Sequence, residues 1–213
     1  IDLTYHSDLP FCWLSLDSLD QDPQRFITYF IEALSERFPG FGTQAKAVLN
    51  ELTSIYEGME RLMIPLVNEI YDHIPQHFFL VLDDYHLISD VPIIANFLSR
   101  FIQLVDENCH LIISSRALTK LPDLPLMVAR DQVGGLDLTS LAFRADEIQA
   151  LFVQNYETNI SDETAQELVD ETEGWITGLQ LSSRDIAEGM ADRLRVARAA
   201  GVDLFDYLGE QVL

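Results

Sequence analysis

The 213 residues suffice for one large domain or two small ones, and 48% apolar with 23% charged residues excludes wholesale disorder and supports a sizeable core. Thirteen Lys+Arg against 35 Asp+Glu leave a formal charge of -22, a surface that repels phosphate backbones and anionic lipid, so direct contact with DNA or a membrane is disfavoured. Cys12 and Cys109 lie in apolar runs and make no disulfide framework, and no apolar stretch approaches the roughly 20 residues of a membrane-spanning helix. With no basic segment followed by an apolar one at the start, the class expected is a soluble, acidic, cytoplasmic globular protein.

In chain order, FCWLSL (11–16) reads as a short buried strand and DSLDQDP as an acidic turn. Asp22 before Pro23 is the signature of a helix N-cap with proline in the first turn. Phe26, Phe30, Leu34 and Phe38 recur at helical spacing until Pro39-Gly40 ends the helix. A second helical stretch covers 44–74, with a break or bend expected at Pro65 because proline removes a helix hydrogen bond. HFFLVL (77–82) is a continuous apolar run, the pattern of a strand buried on both faces of a parallel sheet, and it ends in Asp83-Asp84-Tyr85-His86.

Asp90-Val91-Pro92 opens another helix whose inward residues include Phe97, Phe101 and Leu104. CHLIIS (109–114) is a second buried strand, followed by Ser115-Arg116. Strand, helix, strand at this spacing implies a parallel α/β sheet. Weaker strand candidates follow at 127–129 and 136–141. From about Phe143 only helical patterns remain, at 145–156, 161–172, 175–187 and 203–213, so a domain boundary is expected near residue 143. Trp13 and Trp175 read as core residues.

FFLVLDDYH is the sharpest local feature. An apolar strand that delivers two acids at its carboxyl end puts them where α/β sheets bind ligands. One acid can hold Mg²⁺ while its neighbour polarises an attacking water, the arrangement called Walker B; the same pair can instead cap the helix that follows. Arg116, at the end of the next strand, can reach a terminal phosphate bound at that edge or pair with a surface acid. The chain holds no Gly-x4-Gly-Lys-Ser/Thr phosphate loop: its two lysines, Lys46 and Lys120, do not follow glycine, and Gly134-Gly135 reads as a turn. The five histidines have no zinc-ligand spacing with the cysteines, and no Gly-x-Ser-x-Gly elbow supports a serine hydrolase.

Several segments together resemble one family. FCWLSLDSLDQDPQRFITYFIEAL resembles the W-x-S-L-D … D-x-D-P-x-x-F stretch of MalT-like regulators, LuxR-type transcription activators of the STAND class of signal-transducing ATPases. LVLDDYHLISD resembles their Walker B strand, LIISSR their sensor-arginine strand, TEGWITGLQL their T-x-G-W-P-x-G-L-Q-L helix, and DLFDYLGEQVL the opening of their winged-helix domain.

The resemblance implies an α/β fold with a parallel sheet of P-loop NTPase type (STAND/AAA-like) at 1–143, a small all-α lid at 144–200 and the start of a winged helix at 201–213. It implies ATP or ADP with Mg²⁺, adenine and ribose held between core and lid, and self-association in the ATP state. Inducer and DNA would be met through other domains. By residue, Asp83 would bind Mg²⁺, Asp84 would position water, Arg116 would sense the γ-phosphate, and Gly174, Trp175 and Ile176 would lie near the base. Two departures stand out: the Walker A loop would precede Ile1, and Ile176 replaces the usual proline. The function expected is a slow-hydrolysing ATP/ADP switch core. The alternatives are a nucleotide-free interaction scaffold on the same fold, and an Mg²⁺-dependent hydrolase that recruits Asp17 and Asp20, acids that otherwise read as helix caps.

Overall fold

The computed structural model describes residues 8–175, so Ile176, most of the helix expected at 175–187 and the one at 203–213 lie outside the described residues. The chain divides into two compact units, one ending at Val133 and the other beginning at Gly134.

In the first unit, β1 (Phe11–Ser15), β2 (Phe78–Asp83) and β3 (Cys109–Ile113) pair in parallel in the order β1-β2-β3. Between β1 and β2 come α1 (Pro23–Arg37), α2 (Thr43–Glu51) and α3 (Ile55–His73), and α4 (Pro92–Leu104) joins β2 to β3. A sheet that advances in one direction through right-handed crossovers receives every connection on the same face. The burial agrees: Cys12, Leu14, Phe78, Leu80 and Leu82 join one core with residues of all four helices. Phe26 and Phe30 of α1 meet Phe97 and Phe101 of α4 edge to face, with ring centroids 5.0–6.0 Å apart where they touch.

Side chains that alternate onto the other face are less covered. Trp13, expected in the core, is 42% exposed, and Phe11 stacks on Phe79 at 4.7 Å. β1 is thus half-buried rather than fully buried, and every residue of β3 keeps some exposure, because each has only β2 as a ladder neighbour among the described residues. Leu104, expected inward, is 39% exposed at the last turn of α4.

Asp22 accepts a bond from the Arg25 amide at 2.7 Å and Pro23 opens α1, as its sequence demands. The break expected at Pro65 falls earlier, at residues 52–54, and Pro65 lies inside an unbroken α3. One missing helix bond costs about 3 kcal/mol. Burial of Leu62, Met63, Leu66 and Ile70 on the same helix, each worth roughly 1.5–3 kcal/mol, outweighs it. Just past the break, a Cβ on Gly58 would overlap the Leu52 side chain, so any larger residue there must displace Leu52.

α2 begins at Gly42, which is left-handed (φ 89°) and supplies no side-chain cap. The cap comes from α3: the buried Glu69 carboxylate accepts the Gln44 amide at 3.0 Å and the Ala45 amide at 2.9 Å. A carboxylate at a helix N-terminus meets both the unpaired amides and the positive end of the helix dipole.

The strand candidates at 127–129 and 136–141 are helical instead, in α5 (Leu124–Ala129) and α6 (Leu138–Leu141). Local helix-start signals favour both: Pro125 lies in the first turn of α5, and the Asp137 carboxylate accepts the Ser140 amide at 2.8 Å. In the second unit, α7 (Ala145–Tyr156) and α8 (Asp162–Thr172) pack through Ile148, Phe152 and Leu168. Residues 134–143 join this unit rather than the sheet unit; Phe143 donates its amide to the Gly174 carbonyl at 2.9 Å.

Replacing Glu69 by Gln leaves one of the two α2 amides without an acceptor, and the expected loss is about 1–3 kcal/mol in urea unfolding; an unchanged midpoint would exclude the capping role. Burial pushes the Cys12 and Cys109 thiols up from 9.0 to about 12. A raised thiol pKa favours the folded state fully below about pH 9 and progressively less as pH rises toward 12. At pH 8.5 iodoacetamide is therefore expected to alkylate the folded chain at least about 100-fold more slowly than the urea-unfolded chain; equal rates would contradict the burial.

Candidate functional site

Three parallel strands deliver their carboxyl ends to one edge: Ser15-Leu16, Asp83-Asp84 and Ser114 with Arg116 just beyond. The ladder continues past the strands. Leu16 donates its amide to the Asp83 carbonyl at 3.1 Å, Ser114 donates to the Leu82 carbonyl at 2.9 Å, and Tyr85 donates to the Ser114 carbonyl at 2.9 Å. Asp83 is thus held from both sides by a strand whose preceding residue, Leu82, is fully buried.

The Ser114 hydroxyl donates a hydrogen bond to Asp83 Oδ1 and accepts the Asp84 amide at 3.2 Å. Asp84 takes a left-handed conformation (φ 58°, ψ 36°), which a non-glycine residue adopts at a cost of roughly 1 kcal/mol. That conformation turns its side chain out of the strand's alternation. The Asp84 carboxylate is about half exposed, with His86 Nδ1 3.8 Å from Oδ1.

The capping alternative has no support in the geometry. Asp84 makes no cap bond to the short helical turn Tyr85–Leu87, and α4 starts at Val91 without a side-chain cap. Asp17 and Asp20, by contrast, do cap. The Asp17 carboxylate accepts the Leu19 amide at 2.6 Å, and the buried Asp20 carboxylate accepts the Asp17 amide at 2.8 Å and Arg25 Nε at 2.8 Å. With their oxygens so occupied, they are not spare ligands for a hydrolase.

Asp83 pairs with no lysine or arginine among the described residues, and no group of three metal-ligating side chains occurs among them. One carboxylate beside a second, with few other donors, suits Mg²⁺, which takes one or two carboxylates and completes an octahedron with water and substrate oxygens. It does not suit a metal that needs an all-protein cage. Arg116 is exposed, two residues beyond Ser114 on the same edge, and no hydrogen bond or ion pair to it is present among the described residues, so its guanidinium is free to meet an anion.

Gly174 and Trp175 belong to the second unit. Gly174 is left-handed (φ 71°) and buried against the Phe143 backbone, where a Cβ would stand 2.5 Å from the carbonyl oxygen. Its glycine identity therefore has a packing reason of its own. Trp175 is half-buried and donates its amide to the Thr172 carbonyl at 2.8 Å. Ile176 lies outside the described residues. Sequence reasoning missed Ser114: the Ser-Ser-Arg ending was visible, but only the β2–β3 register shows that the first serine faces both acids.

No protein-family model matches the chain. Curated relatives do. The HTH-type transcriptional regulator MalT of Serratia proteamaculans is 34% identical over 205 residues, 94% of this chain and 22% of that protein. The regulators of the same name from Yersinia enterocolitica and Yersinia pestis strain Pestoides F are each 33% identical over the same extent. The chain spans about a fifth of the length of the curated relatives it matches. Identity of this level, sustained over 94% of the chain, makes this chain a MalT-like segment that matches about a fifth of each regulator.

Proposed function

We propose that this chain is the nucleotide-responsive core of a cytoplasmic MalT-like transcription regulator, switching between ATP and ADP states rather than turning over rapidly. The observation that carries the reading is the sheet edge itself. Two acids at the end of the central strand, and an arginine without an ion pair among the described residues at the end of its neighbour, are brought to one edge by the parallel ladder. In this reading Asp83 holds Mg²⁺, which supplies charge neutralisation between the acids and a polyphosphate; Asp84, turned outward, orients water; and Arg116 reads the terminal phosphate. Gly174, Trp175 and Ile176 would contribute to the base environment. ATP would favour self-association, while inducer and DNA would be met by other parts of the protein. Among the described residues no helix is long and apolar enough to cross a membrane.

Slow hydrolysis is enough for such a switch, because the difference in affinity between two conformations sets the response. A second reading, a nucleotide-free scaffold on the same fold, draws on one specific fact: these 213 residues contain no phosphate-loop lysine motif.

Calorimetric titration of ATP and ADP, with and without Mg²⁺, separates the two. The regulator containing this segment is expected to bind ATP in an Mg²⁺-dependent way. Asp83→Asn is expected to lower Mg²⁺-dependent turnover roughly 10- to 100-fold. Arg116→Ala is expected to cut the preference for ATP over ADP by roughly 10-fold, the worth of one charged hydrogen bond. Absence of nucleotide binding would favour the scaffold.

A further inference from the structure

We propose that Ser114 is the positioning residue of the acid pair: its hydroxyl presets the Asp83 carboxylate for a divalent cation and ties that setting to the backbone that carries Arg116. The inference rests on the reading that Asp83 holds the cation.

Hydrogen-bond direction at Ser114 Oγ is fixed by its partners. A serine hydroxyl has one proton and two lone pairs. The Asp84 amide can only donate, so it occupies a lone pair of Ser114 Oγ and the proton is left for Asp83 Oδ1. That bond suits an ionised, acceptor-only carboxylate. It occupies one lone pair of Oδ1 and leaves Oδ2 without a hydrogen bond among the described residues, open to a cation. A carboxylate on a strand end otherwise samples several rotamers, and fixing it beforehand removes that ordering cost from the binding step.

The same residue controls Asp84. Ser114 engages residues 82–85 through all three of its polar groups: its amide to the Leu82 carbonyl, its carbonyl to the Tyr85 amide and its hydroxyl to Asp83 and Asp84. The left-handed Asp84 is the residue bracketed by these bonds. Arg116 follows two residues later, after a local turn in which Ser115 Oγ accepts the Ala117 amide at 3.3 Å. A phosphate that draws Arg116 toward it therefore acts on the backbone that orients both acids. The backbone bonds survive any substitution at 114, so only the hydroxyl's two bonds are removed by Ser114→Ala.

The test titrates Mn²⁺, an EPR-visible probe for the Mg²⁺ position, into the full chain with and without ATP, alongside amide hydrogen exchange. Ser114→Ala is expected to raise the Mn²⁺ Kd roughly 10-fold, the effect of losing an outer hydrogen bond to a metal ligand. It is also expected to speed exchange at the Asp84 amide. Ser114→Thr, which keeps the hydroxyl, should restore both, whereas Ser114→Val, its isostere without one, should not; this pair decides the matter even if the alanine variant folds poorly. Asp83→Asn is the control. If it leaves Mn²⁺ binding unchanged, or if no Asp83-dependent binding exists, the cation reading fails and the inference with it. If Asp83→Asn weakens binding but Ser114→Ala and Ser114→Val bind like the parent, the cation reading stands and the positioning role of Ser114 is overturned.

Discussion

The burial of β2 is the constraint on which the candidate site depends. Phe78, Leu80 and Leu82 are fully buried in the core, while Phe79, Val81 and Asp83 alternate to the other side. Three such side chains contribute roughly 1.5–3 kcal/mol each. A register slip of one residue would exchange the two sets and drive the Asp83 carboxylate into the core, which an unpaired charge does not tolerate. The hydrophobic pattern of one strand thereby fixes where the acid emerges, and pairing on both sides holds it there.

Polar devices of long sequence separation then set the loops around that frame. Glu69 reaches from α3 to cap α2, Asn108 donates to the Ile74 carbonyl at 2.6 Å before β3, and Gln21 donates to the Leu87 carbonyl at 2.9 Å. The last of these links the segments that follow β1 and β2, just behind the acid edge. Each replaces a local cap or turn by a tertiary one, so these corners form only once the helices dock.

Electrostatics sharpens the functional reading. A chain with a formal charge of -22 repels polyphosphate over its whole surface, and two acids at the edge add to that repulsion. In the proposed reading, Mg²⁺ between acid and phosphate, together with the Arg116 guanidinium, would reverse the sign locally. An arginine already engaged by a surface acid would contribute far less, and Arg116 has no such partner among the described residues. The matched relatives are named as transcriptional regulators, while this chain's own acidity disfavours direct contact with DNA.

Much of this was legible in the residues. The apolar run before Asp83-Asp84, the Asp22-Pro23 helix start, the aromatic spacing of α1 and the parallel α/β class all follow from period, capping and strand-end chemistry, which are local. The position of the α2–α3 break, the exposure of Trp13 and the Glu69 cap were not legible. They depend on which face of the sheet receives the helices and on contacts between distant residues. The sequence by itself determined that two acids and an arginine end adjacent buried strands. Tertiary structure alone decided that the Ser114 hydroxyl meets both the Asp83 carboxylate and the Asp84 amide, and that Asp84 turns outward, because hydrogen-bond partners across a ladder are set by register and not by spacing along the chain.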